Sequence, residues 1–126
     1  HLKPAHQDER GYILNILSGP QVNHVAIITQ AKGTIRGNHW HPTDDQFLYI
    51  VSGRMRSYSR PADNPDAPVQ ILDCYGSDLL YCPPGVVHAY EALSDVTFLN
   101  IDNGVRSTEN YEETTIPCVI LSVVIP

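Results

Sequence analysis

Two histidines one residue apart, His39 and His41, stand in the stretch GTIRGNHWHPTDDQFLYIVSG, and Gln46 follows them. Residues i and i+2 of a β-strand point to the same face, so the two imidazoles would point in one direction. A third histidine, His88, follows a Pro-Pro-Gly turn at the start of another apolar segment. Three imidazoles and one amide oxygen are suitable ligands for Zn, Fe, Mn, Ni or Cu. The sequence therefore predicts a divalent transition-metal site at His39, His41, Gln46 and His88.

The elements that would position these side chains are predicted to be short β-strands. Ten prolines and eight glycines interrupt the chain, and no long segment keeps an apolar period of about 3.6 residues. Short apolar segments between turn residues are typical of an all-β sandwich or barrel. A polar stretch, Asn103–Thr115, is predicted to be a long surface loop. The predicted strands are Tyr12–Leu17, Val22–Gln30, Gly33–Arg36, Gln46–Ser52, Arg54–Arg60, Val69–Asp73, Asp78–Tyr81, Val87–Ala92, Val96–Ile101 and Val119–Ile125.

Length and composition restrict the possible classes of protein. A chain of 126 residues is expected to form one domain. A net charge of -6 argues against nucleic-acid and membrane-surface partners, and the longest apolar run, Val119–Ile125, is too short to span a membrane. Three scattered cysteines are too few for a disulfide framework, so we expect reduced thiols in a cytoplasmic protein.

The histidine spacing resembles the first sequence motif of the cupin superfamily, here residues 33–53. Gly33, His39, His41, Gln46 and Gly53 are separated by five, one, four and six residues. The only departure is Gln46, where the family usually has Glu. An amide is a weaker metal ligand than a carboxylate, so the sequence leaves open whether a metal is bound at all.

Residues 76–92 resemble the second cupin motif, with Gly76, a Pro-Pro-Gly turn and His88. Ala92 replaces the usual terminal Asn, and the gap before the turn is one residue longer than the common form. The resemblance implies that residues 1–126 form a single all-β cupin domain, a double-stranded β-helix or jelly-roll barrel. It also implies a homodimer, and the apolar C-terminal run VILSVVI offers a surface that such a dimer could bury.

Two shorter motifs resemble those of cupin-type nucleotide-sugar enzymes. IRGNHWH is similar to the RGxHxH run of sugar 3,4-ketoisomerases and of epimerase domains in capsular-sugar biosynthesis. Asp8, Arg10 and Gly11 resemble the D-x-R-G opening of 4-keto-6-deoxysugar 3,5-epimerases. The resemblance implies an isomerase or epimerase that acts on a nucleotide-linked 4-keto sugar by removing a proton next to a carbonyl. The alternatives are a metal-dependent cupin dioxygenase and a non-catalytic cupin that binds a small molecule.

Such a reaction needs a base for the proton and a group that stabilises the enolate oxygen. An imidazole is a suitable base because its unperturbed pKa is about 6.5, which makes His39 and His41 candidate catalytic residues. Tyr90 is a candidate proton donor because it is predicted to share a strand face with His88. If a metal occupies all three imidazoles, however, they cannot also act as the base, and the sequence leaves both arrangements open.

Arginines near the histidines are candidates for binding an anionic substrate. Arg36 belongs to the RGNHWH run, and Arg54, Arg56 and Tyr58 share one face of a predicted strand. Guanidinium groups match phosphate oxygens, and a tyrosine ring can stack on a base. The alternative is a solvated strand face whose charge discourages edge pairing. His24 lies on an apolar strand, and it is predicted to be structural and without a partner.

Overall fold

The computed structural model describes residues 1–104 and 115–122, and this part of the chain folds into antiparallel β-sheets without α-helix. The all-β prediction is confirmed. No helix that could cross a membrane occurs within these described ranges. The strands are β1 (His6–Asp8), β2 (Gly11–Ile13), β3 (His24–Gln30), β4 (Ile35–Trp40), β5 (Gln46–Ser52), β6 (Arg54–Pro61), β7 (Gln70–Tyr75), β8 (Leu79–Cys82), β9 (Val86–Ala92), β10 (Val96–Asp102) and β11 (Ile116–Pro117).

Two antiparallel sheets contain nine of these strands, and their inward-facing side chains form the core. One sheet has the order β3-β10-β5-β8, the other has the order β11-β4-β9-β6-β7, and β1 and β2 form a separate hairpin. Alternation along each strand sends every second side chain into the core. The main apolar cluster contains Leu48, Ile50, Met55, Cys74, Tyr90, Ala92, Val96 and Phe98.

A β-bulge in β4 sets the position of the first histidine. Gly37 pairs with Ala89 and His39 pairs with His88, so Asn38 is an extra residue without a partner in the ladder. Gly37 and Asn38 have φ angles of 92° and 57°. Glycine and asparagine adopt such left-handed conformations most readily. The sequence Gly-Asn therefore suits the bulge that brings His39 beside His88.

The C-terminal segment differs from the prediction of a strand over Val119–Ile125. The structure has only β11 there, which pairs with β4, and residues 119–122 are not in a strand. The backbone amides of Ile120 and Leu121 donate to the side-chain oxygen of Asn38 instead of to a neighbouring strand. Residues 123–126 lie outside the described part, and so does most of the predicted loop Asn103–Thr115.

Two other predicted strands end more than two residues away from the observed strand ends. Strand β2 ends at Ile13 because it pairs only with the three residues of β1 in a short hairpin, whereas the prediction extended to Leu17. Strand β4 continues through the bulge to Trp40, whereas the prediction ended at Arg36. The extension of β4 matters for function, because it places His39 within the strand.

Candidate metal and substrate site

His39, His41 and His88 converge at one point between the two sheets. One nitrogen of each ring lies within 4.8 Å of the corresponding nitrogen of the other two. The ring centroids are 4.6 Å apart for His39 and His88, 5.0 Å for His39 and His41, and 5.4 Å for His41 and His88. Such a cluster can hold a metal ion. The three histidines come from two adjoining strands and the turn after β4, so the sheet register produces the cluster.

Neighbouring groups orient the two buried histidines. The Nδ1 atom of His88 is 3.3 Å from the carbonyl oxygen of Val86 and 2.9 Å from the Sγ atom of Cys82. When Nδ1 donates its proton to that carbonyl, the lone pair is on Nε2, which is the usual arrangement for a metal-binding histidine. Burial raises the pKa of the Cys82 thiol to about 11. For His41, the Gly85 amide donates to the backbone carbonyl oxygen at 2.9 Å, and the Thr115 hydroxyl lies 3.4 Å from the ring atom Nδ1.

A chain of buried polar side chains fixes the orientation of Gln46. The carboxylate of Asp102 accepts a hydrogen bond from the Asn100 amide nitrogen at 3.0 Å, so the Asn100 oxygen faces the other way. That oxygen accepts a hydrogen bond from the amide nitrogen of Gln46. The Gln46 oxygen is consequently turned away from Asn100, and it is buried without a hydrogen bond to any described residue.

This residue set fits a transition metal. Three neutral imidazoles would supply nitrogen ligands, and the buried Gln46 oxygen is an acceptor that still needs a partner. The substitution of Gln for Glu in the motif also has a physical reason. The Gln46 amide nitrogen donates to the Asn100 oxygen, which an ionised carboxylate at position 46 could not do.

A cavity of about 600 Å³ lies beside the cluster, between the inner faces of the two sheets. This volume is typical of a site for a small molecule. One wall is largely apolar but also carries His24, Gln46 and Asn100, and the other carries the three converging imidazoles. The lining residues are His24, Ala26, Ile28, Ile35, Arg36, Gly37, His39, His41, Gln46, Leu48, Tyr90, Phe98 and Asn100.

Two more of the predicted site residues lie at this cavity. Arg36 lines it, and one of its five N–H donors is used by the carbonyl oxygen of Thr29 at 3.0 Å. Tyr90 is 4% exposed, and its ring stacks on His88 with centroids 5.3 Å apart. Burial, together with the neighbouring Cys82 thiol, raises the pKa of Tyr90 well above its usual value. The hydroxyl therefore stays protonated at neutral pH, and its role as a proton donor stays a prediction.

The other predicted substrate-binding residues do not line the cavity. Arg54, Arg56 and Tyr58 lie on the outer face of β6, because the buried Met55 and Ser57 take its inward positions.

Two side chains of this outer face, Arg56 and Tyr58, already have partners. Arg56 forms an ion pair with Asp73 at 2.6 Å, and the resulting hydrogen bond lowers the pKa of Asp73. The Tyr58 hydroxyl donates to Glu91 at 3.0 Å. These contacts fit the alternative reading of a solvated face.

The Asp8-x-Arg10-Gly11 motif is also distant from the cavity, in the exposed β1–β2 hairpin. The carboxylate of Asp8 accepts a hydrogen bond from the Arg10 guanidinium at 2.6 Å. This bond, with a further one from His6, lowers the pKa of Asp8 to about 2. Among the described residues the motif therefore makes a local ion pair and contributes nothing to the wall of the cavity.

The prediction that His24 lacks a partner was wrong. Its Nδ1 atom is 3.2 Å from a carboxylate oxygen of Asp102, and its ring lines the cavity. Sequence reasoning also missed Asn100 and Asp102. The available signal was their spacing from Phe98 in VTFLNID, since residues two apart on a strand share the inward face.

The sequence of residues 6–102 matches the profile of a family described as the polysaccharide biosynthesis C-terminal domain. The chain belongs to this family. The match covers both histidine motifs and the strand that carries Asn100 and Asp102. Among curated proteins, no relative matches the chain.

Solved structures similar to this polysaccharide biosynthesis domain have the cupin-type fold, as the motifs imply. CapF from Staphylococcus aureus is 22% identical with a TM-score of 0.71, and the match covers 95% of this chain but only 33% of CapF. The QdtA 3,4-ketoisomerase from Thermoanaerobacterium thermosaccharolyticum is 22% identical, with a TM-score of 0.74 and coverage of 91% and 82%. The dTDP-4-dehydrorhamnose 3,5-epimerase from Sulfolobus tokodaii is 17% identical, with a TM-score of 0.68 and coverage of 87% and 70%. The chain thus spans about a third of CapF, and at these identities the likeness establishes the fold.

Proposed function

We propose that this domain is an isomerase or epimerase that acts on a nucleotide-linked 4-keto sugar by moving a proton next to the carbonyl. The observation that carries the proposal is the convergence of His39, His41 and His88 beside a cavity of about 600 Å³. A cluster of this kind can stabilise the negative charge that develops on an enolate oxygen. The family match to polysaccharide biosynthesis supports a sugar substrate.

The three imidazoles and the Gln46 oxygen are the residues that would hold a divalent transition metal. When bound, such an ion acts as a Lewis acid towards a carbonyl oxygen. Imidazoles whose lone pairs are used in this way cannot accept the substrate proton, so the base must come from another residue. The buried Tyr90 hydroxyl, held beside His88, is the candidate donor for the enolate oxygen.

The shape and chemistry of the cavity suit a nucleotide sugar. Its apolar wall, which includes Ile28, Leu48 and Phe98, can pack against the less polar face of a deoxysugar ring. Arg36 can bind a diphosphate oxygen through the N–H groups that Thr29 does not use. A QdtA variant has been crystallised with TDP-4-keto-6-deoxyglucose, which supports this class of ligand for the fold.

The test combines elemental analysis of the purified protein with proton exchange in D₂O. TDP- or UDP-4-keto-6-deoxyglucose is incubated with the protein, and deuterium at the carbons next to the carbonyl is followed by NMR. We expect about one equivalent of a transition metal, deuterium incorporation, and loss of both in His41→Ala. The matched control is His6→Ala, because His6 is exposed and remote from the cavity.

Two outcomes would contradict the proposal. One is full exchange activity in His41→Ala. The other is no exchange by the wild-type protein combined with oxygen consumption on a flavonol, thiol or diketone, which would favour the metal-dependent dioxygenase. Binding of a sugar nucleotide without any turnover would instead favour a non-catalytic binding protein.

A further inference from the structure

A second histidine site faces the same cavity from the opposite sheet. His24 is the first residue of the edge strand β3, whereas the imidazole cluster belongs to β4 and β9. The His24 side chain is 29% exposed and lines the cavity, so a ligand in the cavity can contact it. It is not among the histidines that converge as a metal site. The cavity therefore has an imidazole on each side, and His24 is separate from the proposed ligand set.

The hydrogen bonds around Asp102 determine which nitrogen of His24 carries the proton. The Asp102 side chain is fully buried, and it accepts hydrogen bonds from the amide of Gly104 and from Asn100, both at 3.0 Å. A carboxylate accepts hydrogen bonds, so the Nδ1 atom of His24 must donate its proton to Asp102 at 3.2 Å. In the neutral ring the lone pair is then on Nε2. A carboxylate that holds Nδ1–H in this way keeps the imidazole in one orientation and one tautomer.

We infer that His24 is the base that removes the substrate proton and that Asp102 positions it, an inference that rests on the proposed function. The bond between hydrogen and the carbon next to the carbonyl breaks, and its electron pair forms the enolate. The proton moves to Nε2 of His24. In a ketoisomerisation, the hydroxyl group on that carbon passes its proton to the enolate oxygen, and His24 returns its proton to the former carbonyl carbon. In an epimerisation, a donor on the other side of the ring, for which Tyr90 is the candidate, protonates the opposite face of the same carbon, and His24 releases its proton to solvent. Neither route needs an oxidant or a reductant.

This assignment resolves the conflict between metal binding and base catalysis. Each imidazole of the cluster can either hold a metal or accept a proton, whereas His24 is outside the cluster. A substrate sugar ring between the two sheets could therefore be held at its carbonyl oxygen by the histidine cluster and lose its proton to His24 on the opposite side. The hydrogen-bonded chain of Gln46, Asn100 and Asp102 runs along the inner face of one sheet. The same polar network therefore orients both the Gln46 amide and the His24 ring.

A purely structural explanation of the pair must be distinguished from this role. His24 and Asp102 are directly opposite in the register of β3 and β10, so their hydrogen bond also ties the edge strand to its neighbour. Loss of activity in a variant of His24 is consequently not sufficient evidence that His24 is the base. Restoration of activity by free imidazole is decisive, because a small base replaces a missing proton acceptor but does not repair a missing strand contact.

The experiment compares wild type, His24→Ala, His24→Gln and His6→Ala in the D₂O exchange assay with TDP-4-keto-6-deoxyglucose. His6 is a matched control because it also contacts an aspartate, Asp8 at 3.0 Å, but in an exposed position. We expect both His24 variants to lose exchange by about 100-fold or more in kcat, with little change in KM. Imidazole is expected to restore part of the rate to His24→Ala only. Metal content is expected to match the wild type in every variant, whereas the thermal midpoint of His24→Ala is expected to fall because the hydrogen bond to Asp102 is lost.

The possible results separate the two proposals. If His24→Ala or His24→Gln keeps an exchange rate within about threefold of the wild type, the role of His24 is overturned and the proposed function stays intact. A loss that imidazole does not restore, or that follows loss of metal, would also overturn it in favour of a structural role. No exchange by the wild-type protein would overturn both.

Discussion

The bulge that positions His39 provides a quantitative test of the site. Gly37 has a φ angle of 92°, and a Cβ atom there would lie 2.7 Å from the backbone oxygen of His88 and 3.1 Å from the Cα atom of Ala89. Placing an alanine in the left-handed region costs about 1–2 kcal/mol. Forcing extra atoms into a packed region adds about 1–3 kcal/mol. Gly37→Ala should therefore lower the free energy of unfolding by about 2–5 kcal/mol.

Gly33→Ala is the matched control, because it isolates the steric part of this cost. Gly33 has a similar φ angle of 83°, but a Cβ atom there would meet nothing within 4 Å. Its substitution should cost only the conformational part, about 1–2 kcal/mol. Urea denaturation of the metal-free protein measures both values. We expect the loss in Gly37→Ala to exceed that in Gly33→Ala by about 1–3 kcal/mol.

The same substitution should also weaken metal binding. The backbone oxygen that must move belongs to His88, so β9 shifts relative to β4 and the three imidazoles no longer converge as closely. Changes to groups that support metal ligands typically reduce affinity about 10–100-fold, and we expect a loss in this range for Gly37→Ala and none for Gly33→Ala. The steric argument would be refuted if Gly37→Ala and Gly33→Ala lost the same stability within about 0.5 kcal/mol, or if the two variants bound metal with equal affinity.

Three further predictions follow from the described contacts. At pH 8, iodoacetamide should modify Cys118 well before Cys74 and Cys82. The reason is that burial raises the pKa of the Cys74 and Cys82 thiols to about 11. Equal rates of modification by mass spectrometry would contradict this prediction. Asn38→Ala removes three hydrogen bonds to residues 120 and 121 and places an alanine at a φ angle of 57°, so it should lower the free energy of unfolding by about 2–4 kcal/mol. It should also speed hydrogen exchange of the backbone amides of residues 120 and 121, and unchanged exchange would count against the contact. Denaturation experiments can measure how much the metal identified by elemental analysis stabilises chelator-treated protein. At a concentration of 100 times its Kd, the metal should raise the free energy of unfolding by about 2.7 kcal/mol. His41→Ala should abolish this gain.

The local pattern of the sequence was sufficient for the fold class and for the imidazole cluster. Short apolar segments between turn residues predicted an all-β domain of short strands, and the described part of the chain has this architecture. The spacing of His39 and His41 predicted that both rings point in one direction. The rings do converge, although His41 lies in the turn just after β4 and not in the strand. The second motif supplied His88. The residues of this cluster could therefore be identified before any strand pairing was known.

The hydrogen-bonding partners of the site required the tertiary structure. His24 and Asp102 are 78 positions apart, and only the pairing of β3 with β10 makes them neighbours. The orientation of Gln46 likewise depends on Asn100, which lies on a strand that is remote in sequence.

The face of β6 that meets the core was also decided by tertiary structure. Alternation predicted that Arg54, Arg56 and Tyr58 share a face, but burial of Met55 and Ser57 placed that face outside. Odd and even positions of a strand point to opposite faces of the sheet, whereas the packing of one sheet on another determines which of the two faces is buried. The sequence by itself thus determined the strands and the convergent histidines. The order and stacking of the sheets determined the cavity, the direction of its amide chain and the second imidazole that faces it.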